Sequence, residues 1–189
     1  MATTDTGPRV VVTGGPFSGK TTLVEALGAR GHRTAPEAAI TVIAELTEAM
    51  GLEAQAAWRH EHRDAFQVRI IEKQVELEEA AAGGTGPLFL DRGRLDGVAY
   101  CRVFDTPVPA ALEAACRELP YDRVVLLDTL TDFDGRKDTG RTSDRERSLK
   151  IRDELARTYA ERGLEPLVVP EASIDERVAL VLAALGLGG

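Results

Sequence analysis

The sequence predicts an α/β fold: one domain built on a five-stranded parallel sheet, with helices on both faces. Two observations carry this. Short runs of β-branched and apolar residues alternate along the chain with longer segments of helical periodicity. The first of those runs leads into Gly14-Gly15-Pro16-Phe17-Ser18-Gly19-Lys20-Thr21, a glycine-rich loop that opens a helix and fits G-x-x-x-x-G-K-[ST]. Strands buried on both faces lose the apolar–polar alternation, so short continuous apolar runs are what such a sheet needs.

The chain has 189 residues, 43% apolar and 29% charged, the composition of a single globular domain. A net charge of −8 argues against a general nucleic-acid binder, which carries a basic surface. Cys101 and Cys116 are too few for a disulfide framework. Met1 to Pro8 lacks a signal pattern, and no apolar run reaches membrane-spanning length. A cytoplasmic setting is the expectation, as a monomer or homodimer.

The elements follow in order. Residues 1–8 form a loose tail and residues 9–187 the domain. Arg9–Thr13 is the first strand, and the helix after the loop ends at Gly31. His32–Ala35 is the second strand, punctuated by Pro36. Glu37–Met50 is helical and Gly51 closes it. Gly51–His62 forms a helical turn or covers a pocket. Arg63–Ala82 carries an apolar stripe through Phe66, Ile70, Gln74, Leu77 and Ala81, widened by Val68, Ile71 and Val75, which predicts broad burial. Gly83–Pro87 breaks the chain before the strand Leu88–Leu90. Leu95–Phe104 is helical. Thr106 as N-cap and Pro107 at the first position predict a helix to Leu119. Arg123–Leu127 is the fourth strand and Pro166–Val169 the fifth. Between them lies the charged helix Arg145–Arg162, with Leu149, Ile151, Leu155 and Tyr159 inside. Ser173 and Glu176 match a capping box that opens the last helix.

Several residues point to phosphate chemistry. Glycines let successive N–H groups converge on an anion, and the helix start adds unpaired donors. Gly15, Pro16, Phe17, Ser18, Gly19, Lys20, Thr21 and Thr22 are therefore the expected nucleotide-binding residues. Lys20 reaches the β- and γ-phosphates, and the Thr21 hydroxyl ligates Mg²⁺. Asp91 follows a strand, at the sheet edge where ligands bind, and can hold the metal or its water. An aspartate there can also cap the next helix. Arg92 pairs with an anionic substrate group or with a neighbouring acid. Glu37 follows the second strand; it or Asp91 can take the proton of an acceptor hydroxyl, and Glu37 can equally complement a helix dipole. Gln74, an amide on an apolar stripe, reads substrate or sits at a helix edge. His32, His60 and His62 lack metal-ligand spacing.

The stretch from about 130 to 147 carries Arg136, Lys137, Arg141, Arg145 and Arg147 among acids and glycines. It suits a lid that excludes water and delivers arginines to a transferring phosphoryl, with Arg141 first and Arg136 and Arg145 next. A solvated charged loop is the plain alternative.

Taken together, Gly14–Thr22, Pro36-Glu37-Ala38-Ala39, Phe66-Gln67 with Gln74, Phe89-Leu90-Asp91-Arg92 with Asp96 and Ala99-Tyr100, and Asp138–Arg141 resemble a P-loop family of small kinase-like ATPases. That family includes the nicotinamide riboside kinase domain; thymidylate and deoxynucleoside kinases are more distant. The resemblance spans nearly the whole chain. It implies a P-loop NTPase fold with strand order 2-3-1-4-5, ATP, Mg²⁺ and transfer of the γ-phosphoryl to a hydroxyl or phosphate of a small molecule. It places the base or metal acid at Asp91 or Glu37, acceptor contacts at Arg92, and adenine near Pro170 to Ser173. Related chains carry a basic residue soon after the glutamate, and Ala38-Ala39-Ile40 departs from that pattern. The favoured acceptor is nucleoside- or nucleotide-like. The alternative is a nucleotide-dependent regulatory switch; Asp128-Thr129-Leu130-Thr131-Asp132 holds no Asn-Lys-x-Asp guanine signature.

Overall fold

A computed structural model describes residues 7–130 and 145–187. The described elements are β1 (Arg9–Gly14), α1 (Lys20–Ala29), β2 (Arg33–Ala35), α2 (Ala38–Met50), α3 (Leu52–Glu61), α4 (Arg63–Ala80), β3 (Leu88–Asp91), α5 (Arg94–Val103), α6 (Ala110–Ala115), β4 (Arg123–Leu127), α7 (Arg145–Ala160), β5 (Leu167–Val169) and α8 (Ile174–Ala184). The five strands are all parallel, in the order β2-β3-β1-β4-β5. Chain order reverses between β1 and its neighbours β3 and β4, so the crevice beyond the carboxyl ends of these strands is the topological switch point.

The strand runs divide cleanly between two cores. Val11, Leu88, Leu90, Val124 and Leu126 pack with Leu95, Ile151, Leu155 and Tyr159 on one face. Val10, Val12, Phe89, Val125 and Leu127 pack with Leu23, Leu27, Val178 and Val181 on the other. This is the period-two alternation of a strand with both faces covered. Full burial of each large aliphatic side chain contributes about 1.5–3 kcal/mol, an upper figure against an extended reference chain. At the sheet margin, Leu167 and Val168 of β5 are exposed.

Four sequence expectations are corrected. The stretch after Gly51 is a full helix, α3. The helix expected from Pro107 to Leu119 is only α6; Pro109 takes the N-cap position, and the Thr106 hydroxyl instead donates to the Cys101 carbonyl at the end of α5. On α4 the buried residues are Ile71, Gln74 and Glu78, while Phe66 and Ile70 are partly exposed because they line a cavity. Leu149 is partly exposed, and Ser148 takes the buried place beside it. The capping box of α8 forms: Glu176 N–H donates to Ser173 Oγ and Ser173 N–H to Glu176 Oε2. Cys101 and Cys116 are buried and unbridged. No described helix is long and apolar enough to cross a membrane.

Glu78 explains the polar seam of α4. It is fully buried and accepts from Arg94 at 2.8 Å and from the Tyr121 hydroxyl at 2.6 Å. Arg94 also donates to the Ala115 carbonyl, so one ion pair ties α4, α5 and α6 together. Glu78→Ala leaves a buried guanidinium without its counter-ion, and such losses run to about 3–5 kcal/mol. Chemical denaturation is expected to show a drop of that size; a change below about 1 kcal/mol, the scale of an exposed pair, contradicts it.

Candidate active site

The loop after β1 is shaped for an anion. Phe17 and Gly19 both take left-handed conformations, with φ of 59° and 86°. Alternation of right- and left-handed residues turns N–H groups to one side. Gly15 is needed for space: a Cβ there would stand 2.5 Å from the Ser148 carbonyl oxygen. Lys20 opens α1 and is 4% exposed. Its Nζ donates to the Gly15 carbonyl at 2.7 Å and to Ser18 Oγ at 3.3 Å. Burial, then the nearby Arg92 charge, push its pKa down to about 7.

Parallel pairing of β1 with β3 sets Val12 opposite Asp91. Asp91 thereby lies beside the start of α1, and Thr21 Oγ1 donates to its Oδ2 at 2.7 Å. Its Oδ1 is buried and has no hydrogen-bond partner among the described residues. Burial raises the pKa of this carboxyl, against the bond from Thr21. A carboxylate oxygen without a partner beside a threonine hydroxyl is a donor set that fits a hard divalent cation or its water. Among the described residues no cluster of His, Cys, Asp and Glu forms a self-contained metal cage.

Arg92 has φ of 79°, in the left-handed region, and its N–H donates to the Val12 carbonyl at 3.0 Å. This backbone turn sends its guanidinium between two acids. Nε lies 3.2 Å from Glu37 Oε1, and Nη1 lies 3.2 Å from Asp96 Oδ2. The Tyr100 ring centroid is 5.4 Å from its central carbon, at cation–π distance. Glu37 is the residue that starts α2 and is 6% exposed. Asp96 also accepts from Thr13 Oγ1 and Tyr159 Oη, each at 2.8 Å. Burial, then the Asp96 charge, raise the Tyr159 phenol well above its ordinary pKa, so it stays a donor.

A cavity of about 320 Å³ opens from the loop residue Pro16 over Glu37, Arg92 and Asp96. Its far walls are Phe66, Gln67, Ile70, Tyr100 and Phe104. Small-molecule sites begin at about this size and combine apolar walls with a few convergent polar groups. Gln74 lines it, while its Nε2 donates to Glu78 at 3.0 Å and to the Arg92 carbonyl at 3.3 Å. A second hollow of about 220 Å³ lies across the loop, bounded by Gly19, Thr22, Leu130, Ala172 and Ile174.

The structure therefore brings Lys20, Thr21, Glu37, Asp91, Arg92 and Gln74 to one sheet edge. Arg145 is exposed at the start of α7. Arg136 and Arg141 lie outside the described residues, as does most of the lid expected at 130–147. Sequence reasoning did not single out Ser148, placed Tyr159 inside its helix without a partner, gave Asp96 no role of its own, and passed over Arg177, whose Nη1 donates to the Ser18 carbonyl of the loop at 2.7 Å. A polar residue among the inward positions of α7 was the available signal for Ser148.

The family model described as AAA domain (AAA_28) matches residues 9–177. No curated protein matches the chain. Among solved structures, the NadR protein in complex with NAD and AMP-PNP is similar at 19% identity and TM-score 0.69, over 95% of this chain and 50% of that one. This chain thus spans about half the length of NadR. Thymidylate kinase from Candida albicans is similar at 14% identity and TM-score 0.61, covering 97% of this chain and 94% of that one. Deoxyadenosine kinase from M. mycoides with bound dCTP gives 14% and 0.61, covering 94% and 98%. At such identities the likeness is one of fold, and the fold they share is that of P-loop kinases. With the family model spanning most of its length, the chain belongs to the AAA domain family AAA_28 and has the P-loop kinase fold.

Proposed function

We propose that this protein is an ATP-dependent phosphotransferase that moves a γ-phosphoryl to a hydroxyl or phosphate of a small, nucleoside- or nucleotide-like acceptor. One observation carries the reading. The cavity that holds Glu37 and Arg92 begins at Pro16, within the phosphate loop itself. An acceptor in this cavity and a phosphoryl donor on the loop would adjoin, an arrangement that a switch acting through partners does not need.

Bound Mg·ATP supplies the phosphoryl group. The chain's own residues divide the remaining work. Loop N–H groups and Lys20 hold the phosphates, and Thr21 with Asp91 would hold the metal and its water. Glu37 lines the acceptor cavity whereas Asp91 does not, so Glu37 is assigned the acceptor's proton and Asp91 the metal side. Arg92, braced by Asp96, orients Glu37 and can meet an anionic group of the acceptor. Phe66, Tyr100 and Phe104 favour a flat ring, and Gln67 offers an amide to read its edge. Arg141, with Arg136 and Arg145, is assigned to transition-state charge. The match of NadR, thymidylate kinase and deoxyadenosine kinase in fold is consistent with a kinase of this class. The setting expected is cytoplasmic.

The reading is tested by a screen of nucleosides, nucleotides and small alcohols for acceptor-dependent ADP release. Glu37→Gln is expected to lower kcat by at least about a hundredfold while leaving ATP binding near wild type, the loss typical of a general base. Arg141→Ala is expected to slow transfer by about a thousandfold with a much smaller effect on ATP affinity. An equal loss in both quantities assigns Arg141 to ground-state binding instead.

The lowered Lys20 pKa adds a pH signature. Near pH 8 the amine, with a pKa of about 7, is mostly neutral in the free protein. A triphosphate favours the ammonium form, so binding takes up a proton above pH 7 and none well below it. Triphosphate affinity therefore falls as pH rises past 7. Calorimetry in buffers of different ionisation heat measures the uptake; a proton count that stays at zero from pH 6 to 8.5 contradicts the assignment.

A further inference from the structure

We infer that Ser148 of α7 and Arg177 of α8 are positioning residues for the nucleotide's phosphates: neither needs to touch the ligand, and each fixes a peptide of the phosphate loop. The inference rests on the proposed nucleotide site and adds to it residues outside the loop motif.

Ser148 is fully buried, and its Oγ donates to the Pro16 carbonyl at 2.9 Å. A hydroxyl has one proton to give. The 3.3 Å contact between Ser148 Oγ and Thr129 Oγ1 is therefore donated by Thr129, which leaves the Ser148 proton aimed at Pro16. Arg177 is 3% exposed. Its Nη1 donates to the Ser18 carbonyl at 2.7 Å, its Nε to the Pro170 carbonyl at 3.0 Å and its Nη2 to the Asp128 carbonyl at 3.5 Å. One guanidinium thus spans the loop and the ends of β4 and β5.

The consequence follows from peptide geometry. In a planar trans peptide the carbonyl of one residue and the N–H of the next are antiparallel. No peptide here is cis among the described residues. Holding the Pro16 carbonyl toward α7 turns the Phe17 N–H the opposite way. Holding the Ser18 carbonyl toward α8 does the same for the Gly19 N–H. Both residues have left-handed φ, a conformation that Phe17, which is not a glycine, would readily give up in a free loop. Two side chains from separate helices thus hold the Pro16 and Ser18 carbonyls, which turns the Phe17 and Gly19 N–H groups away from those helices, toward the side assigned to the phosphates. Pre-orientation of this kind raises affinity by lowering the ordering cost of binding.

The same geometry explains why the α7 backbone lies so near the loop. The Ser148 carbonyl occupies the space that a Cβ on Gly15 would need. Gly15 therefore admits the α7 turn that brings Ser148 to Pro16.

The test uses the full chain, with Ser148→Ala and Arg177→Lys, and two probes: magnesium tripolyphosphate, which has no base, and adenosine, which has no phosphate. Ser148→Ala is expected to weaken tripolyphosphate binding about fivefold and Arg177→Lys about tenfold or more, the scale of a neutral and a charge-assisted hydrogen bond. Adenosine affinity is expected to be unchanged in Ser148→Ala. In ¹⁵N-labelled protein, the Phe17 amide shift on tripolyphosphate binding should shrink in Ser148→Ala, and the Gly19 shift in Arg177→Lys. A lower melting temperature with wild-type tripolyphosphate affinity and amide shifts in both variants assigns these residues to stability alone and overturns the inference. Wild-type protein that takes up neither tripolyphosphate nor Mg·ATP overturns the phosphate-site reading, and this inference with it.

Discussion

The hydrogen bond from Thr21 to Asp91, 2.7 Å long, is the contact on which the site depends. It joins the first turn of α1 to the end of β3, residues seventy apart in sequence. It exists only because β3 lies parallel to β1 in a register that sets Asp91 opposite Val12. A register shift by one residue would turn Asp91 to the other face of the sheet and leave a core residue at the loop. The apolar burial that fixes the register therefore also fixes the chemistry. Val10, Val11 and Val12, all fully buried, specify which way every side chain of β1 faces.

From that contact the other charges take their places. Arg92 follows Asp91 directly, and its left-handed turn carries the guanidinium away from the strand to meet Glu37 from the neighbouring β2–α2 junction. Asp96, one helical turn on, meets it from the other side. A lone buried cation or anion at this depth would be strongly disfavoured. Glu37, Arg92 and Asp96 avoid this by pairing in series, and Thr13 and Tyr159 fill remaining acceptor positions on Asp96. Glu37, Arg92 and Asp96, which line the cavity beside the phosphate loop, thus form one ionic array.

Sequence made the loop, the strands and the acids at strand ends legible for one reason: each is a local signal. A glycine pattern, an apolar run and an aspartate after it can all be read within ten residues. Residues that act across the fold left no such signal. Glu78 reads as one more acid on a helix rich in acids, yet it is buried because Arg94 and Tyr121 reach it from elsewhere. Thr106 reads as a helix start, but its hydroxyl serves the end of the preceding helix. Gln74 stood out as an amide on an apolar stripe. What periodicity could not give was its partners, Glu78 and the Arg92 carbonyl, which make it a strut under the arginine as well as a wall of the cavity.

The array also carries its own protection against change in pH. Tyr121 and Tyr159 are raised well above their ordinary range, in each case by burial first and then by an adjacent carboxylate, Glu78 or Asp96. Both phenols therefore remain donors wherever the protein works, and guanidinium groups do not lose their protons. Burial is also the main cause that lowers the pKa of Lys20 and raises that of Asp91. Those two are also the ones nearest the loop. Fixed charges hold the frame, while a polyanion would favour the charged form of Lys20 and a divalent cation that of Asp91. The cost of burying them falls on folding, and a ligand of the right charge relieves it; a site arranged in this way binds by completing its own electrostatics.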